Sequence, residues 1–103
     1  NGGNFLLVGD GISLWAFFDS YGGIYLICDG SEDYVRSYSA GSWYRLEFKD
    51  INWSTKTFDF YVNGTRYEND VSFANTSSTK AQQIWVWNDE SSCDFSYDEI
   101  LVE

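Results

Sequence analysis

The feature that most constrains the fold is a pair of alternating runs followed by Asn63-Gly64. Residues 44–49 (Y-R-L-E-F-K) and 57–63 (T-F-D-F-Y-V-N) place an aromatic or aliphatic side chain at nearly every second position. Successive side chains of a β-strand point to opposite faces, so each run predicts a strand with one buried face. Asn-Gly is typical of a two-residue hairpin turn, because both central residues of a type I′ turn need positive φ. The stretch therefore predicts antiparallel β-structure.

Similar short runs, separated by turn residues, occur along the rest of the chain. They predict further strands at Phe5–Val8, Ile12–Phe18, Ile24–Cys28, Tyr34–Tyr38, Gln83–Asn88 and Phe95–Val102. Residues 66–73 predict shorter extended pieces and residues 74–81 a surface loop. No segment shows the helical period, and 103 residues suffice for one domain with one core. We therefore predict a single-domain, all-β antiparallel sandwich.

The predicted core follows from the same alternation. Its members are the residues on the more apolar face of each run: Phe5, Leu7, Ile12, Leu14, Ile24, Leu26, Leu46, Phe48, Phe58, Phe60, Val62, Ile84, Val86, Ile100 and Val102.

Two motifs resemble a known superfamily. Trp43-Tyr44-Arg45-Leu46, a polar spacer and Tyr61-Val62-Asn63-Gly64, with the closing residues 97–102 (Y-D-E-I-L-V), resemble the concanavalin A-like lectin/glucanase (laminin-G-like) jelly-roll superfamily. The likeness covers residues 43–102 and implies a jelly-roll sandwich. Such domains normally have further strands before this region. The shortness of this chain implies either a pared-down sandwich or an open sheet edge, which is a pairing site for another chain.

The charge and composition exclude several classes of function. The formal net charge is −10, so phosphate backbones and anionic lipid head groups would repel the chain, and we expect neither nucleic acid nor membrane binding. No apolar run approaches the roughly 20 residues of a membrane span. The chain contains no His, which removes the usual general base and a common metal ligand.

The cysteines and sequons favour an extracellular protein. Cys28 and Cys93 are the only cysteines, and they predict either one disulfide or two free thiols in a reducing compartment. Three N-glycosylation sequons begin at Asn52, Asn63 and Asn75, each in a predicted turn or loop. Asn is common in turns for conformational reasons as well. We expect a secreted glycoprotein with a disulfide.

Catalysis is not expected. A glycosidase needs two carboxylates across the scissile bond. By resemblance, related glucanases place them along one strand as E-x-D-x-E, whereas the nearest pattern here is Arg45-x-Glu47-x-Lys49, with one carboxylate. Without His, Ser/His and Cys/His mechanisms are also excluded. We predict a non-enzymatic protein.

The surplus of aromatic residues indicates binding. Trp85 and Trp87 are two apart on one predicted strand and project the same way, as do Trp15 and Phe17. Either pair could instead form a second core layer, but burying both would cover too much of so small a domain. We therefore expect an exposed aromatic patch that binds sugar or protein.

Two further aromatic residues are candidates for the same patch. Tyr61 is a candidate member that could join either pair. Trp53, in the loop after residue 49, is either a lid over the core edge or an exposed contact residue.

Calcium is a further candidate ligand. In jelly-roll carbohydrate-binding modules the Asp of the closing strand often binds a structural Ca²⁺, and by resemblance Asp98 holds that position. Asp89 and Asp94 lie in the preceding acidic turn. Carboxylates suit a hard cation, but no dedicated calcium motif is present, and a solvated acidic turn explains the same residues.

Together these features predict an extracellular, non-catalytic carbohydrate-binding or adhesion module whose partners are glycans or surface glycoproteins. The alternative is a glycosylated structural subunit of an extracellular filament or coat that self-assembles through its sheet edges.

Overall fold

The computed structural model describes residues 3–88 of the chain, with side chains through Val86. This part consists of strands and the turns between them, and no helix in it is long and apolar enough to cross a membrane. The strands are β1 (Gly3–Gly9), β2 (Ile12–Phe18), β3 (Gly23–Cys28), β4 (Ser31–Ser37), β5 (Leu46–Asn52), β6 (Thr57–Val62), β7 (Thr65–Ser72) and β8 (Ala81–Asn88).

The strands form two antiparallel sheets. The large sheet has the order β4-β3-β2-β1-β8, and the small sheet has the order β5-β6-β7. The predicted all-β antiparallel architecture is confirmed. The predicted closing strand Phe95–Val102 lies outside the described residues, as do the predicted core residues Ile100 and Val102.

The hairpin signal at Asn63-Gly64 is also confirmed. Asn63 has φ 53° and Gly64 has φ 83°, and Val62 pairs with Thr65 across the turn. The Asn63 side chain also contributes a tertiary contact, because its Oδ1 accepts a hydrogen bond from the backbone N–H of Arg45 at 2.9 Å. The turn between β6 and β7 is thereby tied to the start of β5.

The core lies between the two sheets. The large sheet contributes Leu14, Ala16, Phe18, Ile24 and Leu26, and the small sheet with the residue after it contributes Phe58, Phe60, Val62, Val71 and Phe73. Phe5 extends the contact under β1, since its ring stacks on Phe48 at 5.6 Å between centroids. Apolar contacts between the inner faces therefore hold the sheets together.

The prediction of burial was wrong at one edge of the large sheet. Val86 is 37% exposed, and Ile84 is only partly buried. The reason is geometric: three strands cannot cover five, so the inner side of β8 extends past the small sheet. On β1 the expectation failed differently, because Leu6 is 1% exposed on the outer face whereas Leu7 is partly buried on the inner face.

A register shift between β3 and β4 moves side chains from where simple alternation places them. The register between β3 and β4 shifts at Ile24/Tyr25, so Tyr34 pairs with Tyr25 while Arg36 pairs with Ile24. Tyr34 and Arg36 consequently lie on opposite faces, although they are two residues apart. Residues 65–72 form one continuous strand rather than short pieces, with its own register shifts against β6.

Candidate functional site

The outer face of the large sheet stands apart from the rest of the surface because it is nearly free of charge. Strands β1, β2, β3 and β8 contain no Asp, Glu, Lys or Arg, although such residues make up 21% of the chain. An uncharged sheet face would normally be covered by another layer. No described element lies on it, so its outward side chains are the candidate functional site.

One row of side chains crosses three strands of this face. Leu6 pairs with Trp15 on one side and with Trp85 on the other. With strands about 4.8 Å apart, the two Trp Cα atoms lie roughly 10 Å from each other. Leu6 between them is buried, whereas Trp85 is 46% exposed and Trp15 is partly buried. Trp15 and Trp85 thus flank a buried apolar residue on the same face.

A second row continues across the same face. The rings of Phe17 and Tyr25 stack at 5.2 Å with an interplanar angle of 6°, and Tyr34 meets Tyr25 edge-on at 5.5 Å. Tyr34 is 54% exposed. On β8 the register pairs Trp87 with Asn4, which places Trp87 at the other end of this row. We call the set Trp15, Phe17, Tyr25, Tyr34 and Trp85 the aromatic face.

Gly23 makes the second row possible. A Cβ at this position would lie 2.7 Å from Cε1 of Tyr25 and 3.1 Å from Cε1 of Tyr34. The two rings therefore occupy the space that any side chain at position 23 would need. Burial, and then the nearby Asp19 carboxylate, raise the pKa of Tyr25, so its phenol is neutral across the physiological range.

Carboxamide groups fix the orientation of both Trp side chains. The buried Asn4 accepts a hydrogen bond from Nε1 of Trp15 through its Oδ1 at 3.0 Å. Gln83 accepts one from Nε1 of Trp85 through its Oε1 at 2.9 Å. Each indole donates its one polar hydrogen within the face, so the rings are held by polar as well as apolar contacts.

The first row ends in a pocket of about 320 Å³. Trp15 forms one wall, Ile12 and Ile27 are apolar lining residues, and Glu32 and Asn75 contribute a carboxylate and a carboxamide. Glu32 pairs with Ile27 across β3 and β4. The pocket therefore combines an aromatic wall, an apolar base and hydrogen-bonding groups at its rim.

The loop that carries Asn75 is tied to the large sheet by backbone hydrogen bonds. The N–H groups of Ala74 and Asn75 donate to the carbonyls of Ser13 and Ile12, each at 2.9 Å. Further along, the carboxylate of Asp10 accepts hydrogen bonds from the backbone N–H of Thr79 at 2.8 Å and from the Thr79 hydroxyl. These bonds hold the pKa of Asp10 well below its usual range. The pocket wall is thus fixed from both ends.

Two predicted binding residues lie elsewhere. Tyr61 is on the outer face of the small sheet, where the Lys49 ammonium lies 4.6 Å from its ring centroid. Trp53 is partly buried, and its ring meets Phe73 edge-on at 5.1 Å, so it packs over one end of the core. The structure brings together Trp15, Phe17 and Trp85, but not these two, and the side chain of Trp87 lies outside the described part.

The other predicted sites are covered only in part. Asp89, Asp94, Asp98 and Cys93 lie outside the described residues, so the calcium and disulfide predictions stay predictions. Cys28 is half-buried, and burial raises the pKa of its thiol to about 12. Within residues 3–88, no group of three or more Asp, Glu, Cys or His side chains is arranged to hold a metal ion.

The three sequon asparagines are exposed, and each folds its Oδ1 onto a backbone N–H. Asn52 accepts from Ser54 and Asn75 accepts from Ser77, each at 2.9 Å, while Asn63 accepts from Arg45. Exposure is compatible with glycosylation, and the local hydrogen bonds also explain why Asn occurs at these turns.

Sequence reasoning missed Leu6, Gly23, Tyr25 and Tyr34 as parts of this face, and Glu32 and Asn75 as pocket residues. The alternation of residues 23–28 would have placed Gly23 and Tyr25 together. Tyr34 was not predictable in this way, because the bulge reverses its face.

Compared with known proteins, the chain matches no family model, no curated protein sequence and no solved structure.

Proposed function

We propose that the chain is a non-catalytic carbohydrate-binding module that binds neutral glycans on the aromatic face. The observation that carries the proposal is the pair Trp15 and Trp85. They project from the same side of the sheet, two strands apart, over a buried Leu6 and on strands without a charged residue. The proposal includes an extracellular location, a Cys28–Cys93 disulfide and kinship with the jelly-roll superfamily. The two antiparallel sheets support that kinship.

The chemistry of the face fits sugars. The face of an aromatic ring is electron-rich and attracts weakly positive C–H groups, which pyranose rings present on their flat sides. A neighbouring exposed carboxamide, here Gln83, suits hydroxyl groups. Two indoles roughly 10 Å apart across one sheet cannot sandwich a single ring. They suit an extended chain of several sugars lying across β8, β1 and β2.

Charge points to a neutral ligand. The net charge of −10 repels polyanions, and strands β1, β2, β3 and β8 carry no cation that would pair with a carboxylate or sulfate. A neutral oligosaccharide meets no electrostatic repulsion when it approaches. Its binding displaces water from the aromatic rings, which is favourable in free energy.

Assembly through sheet edges is the second candidate, and the β4 edge disfavours it. Strand β4 carries Glu32, Asp33 and Arg36, and charged side chains on an edge strand oppose pairing with another chain. Assembly through the aromatic face itself remains an outcome of the test below.

The test compares single Trp substitutions with a matched substitution on the other sheet. W15A and W85A should each weaken binding to neutral oligosaccharides on a glycan array by about tenfold or more, since each removes a ring that contacts the ligand. Y61A, which removes a ring from the small sheet, should leave binding unchanged. Circular dichroism and urea unfolding of each variant separate lost contact from lost fold.

Size-exclusion chromatography of the same proteins completes the test. A monomer that binds neutral glycans, with loss in W15A and W85A only, supports the proposal. Oligomers that dissociate in W85A, with no glycan bound by the wild type, would replace it with self-assembly through this face. Equal losses in Y61A and W85A would also overturn it.

A further inference from the structure

We infer that the pocket at the end of the first row is a subsite for one neutral sugar ring, whose hydroxyl groups form hydrogen bonds with Glu32 and Asn75. The inference rests on the proposed function and adds to it the residues that set specificity. The pocket volume of about 320 Å³ lies at the lower end of the range for ligand pockets. It admits one ring rather than a long chain.

The pocket wall and base position the sugar. Trp15 belongs both to the first row and to the pocket, so a glycan lying on Trp85 and Trp15 reaches the pocket with its next ring. The Trp15 indole is fixed by its hydrogen bond to Asn4. Ile27 lies beside Glu32 on the neighbouring strand and completes an apolar surface under the ring.

The Glu32 carboxylate and the Asn75 carboxamide are the polar groups that would hydrogen-bond the sugar hydroxyls. The Glu32 carboxylate is exposed and accepts hydrogen bonds only, whereas the Nδ2 of Asn75 donates them. The Oδ1 of Asn75 is already occupied by the N–H of Ser77, which fixes the direction of the carboxamide. An acceptor and a donor on one rim suit a pair of adjacent hydroxyl groups.

Two consequences distinguish this subsite from an apolar surface that binds sugars without selectivity. Glu32 repels a sugar that carries its own carboxylate, so uronic acids are excluded. Asn75 is also the acceptor of a sequon, and its Nδ2 lies over Gly11 beside the pocket, so a glycan there would stand at the pocket rim. Glycosylation at Asn75 should therefore weaken binding in the pocket.

The experiment uses the whole chain made in a host without N-glycosylation, titrated with the methyl glycosides of glucose, galactose, mannose, N-acetylglucosamine and glucuronic acid. Saturation-transfer NMR gives the relative affinities. We expect at least one neutral glycoside to bind, and the glucuronide to bind weaker by about fivefold or more, since a like charge at contact distance costs that much in water.

Substitutions then assign the discrimination. E32Q should remove most of the bias against the glucuronide, N75A should weaken the neutral glycoside, and S77A should bind as the wild type does, because it deletes only the sequon. E47Q is the matched control: it removes the same charge from the opposite sheet and should preserve the bias. Wild-type protein glycosylated at Asn75 should bind the neutral glycoside more weakly than S77A from the same host does.

The outcomes separate the subsite from the face. If W85A weakens oligosaccharide binding while E32Q and E47Q behave alike, the subsite is wrong and the aromatic face stands. If oligosaccharides bind but no methyl glycoside does, the subsite is equally overturned. If neither class of sugar binds the wild type, both proposals fall.

Discussion

The two outer faces of this molecule are built on the same sheet geometry but carry opposite chemistry. On the small sheet, Glu47, Lys49, Asp59 and Arg66 surround Tyr61, and we call this set the charged face. On the large sheet, four strands contain no charged residue, and rings cover the surface. Ordinary solvent exposure explains the charged face. It does not explain the aromatic face, and that difference is the reason for proposing binding there.

The two faces also differ in what lies beneath their side chains. On the aromatic face, Leu6 lies between Trp15 and Trp85 and is as buried as the core between the sheets. On the charged face, Glu47 lies 3.5 Å from Arg45 and 3.6 Å from Lys49, and the two cationic side chains are 70% and 49% exposed. One face buries an apolar residue and gives each described indole a polar partner, whereas the other pairs charges that are partly in contact with water.

The largest expected effect is that of Leu6→Ala. If the aromatic face is a packed layer, the substitution should cost about 2–5 kcal/mol of unfolding free energy, as truncation of a core Leu does. Leu14→Ala, in the core between the sheets, is the control and should cost a similar amount. Urea unfolding measures both. A loss below about 1 kcal/mol for Leu6→Ala would place the residue on an ordinary surface and remove the comparison.

Gly23→Ala should have the next largest effect. The added methyl group meets the rings of Tyr25 and Tyr34, so we expect a loss of about 1–3 kcal/mol from overpacking. The near-ultraviolet circular dichroism of the Tyr residues should change with it. Ser31→Ala, on the same sheet, is the control. Gly41→Ala is unsuitable, because Gly41 has φ 83° and Ala would be strained there. Unchanged stability and spectrum in Gly23→Ala would show that the second row is not packed as described.

Asp10→Asn tests the loop that positions Asn75. The folded-state pKa of Asp10 is lowered, so its contribution to stability is present above the ordinary pKa of 3.8 and is lost as the pH falls below that value. We expect Asp10→Asn to be less stable than the wild type at pH 7 and the difference to shrink below about pH 4. Urea midpoints between pH 2.5 and pH 7 measure this. A pH-independent difference would mean that the carboxylate charge is not what holds the loop.

The smallest effect is expected on the charged face. Lys49→Ala removes an ion pair with Glu47 and a contact with the Tyr61 ring. Because the Lys49 side chain is 49% exposed, the loss should be less than about 1 kcal/mol. Added salt should weaken even that. Stability measured in low and high salt checks it. A salt-independent loss of several kcal/mol would show that the charged face is structural rather than merely solvated.

The sequence predicted the parts of the fold that depend on local pattern. The alternation at Ile12–Phe18 coincides with β2, and Asn63-Gly64 is the turn between β6 and β7. The same period placed Trp15 and Phe17 on one face. It put Phe5 and Leu7 on the buried side of β1, whereas Leu6 on the other side is more fully buried, since both Leu6 and Leu7 are apolar and alternation alone does not distinguish them.

The rest of the site depends on contacts distant in sequence. Trp15, Glu32 and Asn75 meet because the loop after β7 is hydrogen-bonded to the start of β2, a connection that leaves no local signal. The bulge that turns Tyr34 outward is likewise set by the pairing of β3 and β4. Tyr61 shows the converse error, since it lies in the same alternating pattern as the residues of the aromatic face but on the outer side of the other sheet.

The most direct test of the account is a map of where a neutral oligosaccharide binds. Amide and indole NMR shifts would be followed while cello-, manno-, xylo- and chito-oligosaccharides are added in turn, with Trp15 and Trp85 assigned through W15F and W85F. The account predicts that at least one of them shifts the Trp15 and Trp85 indole signals and the amides of β1, β2 and β8, while the signals of Lys49 and Tyr61 stay in place. Shifts centred on β5 to β7, or no shift with any of these sugars, would contradict it.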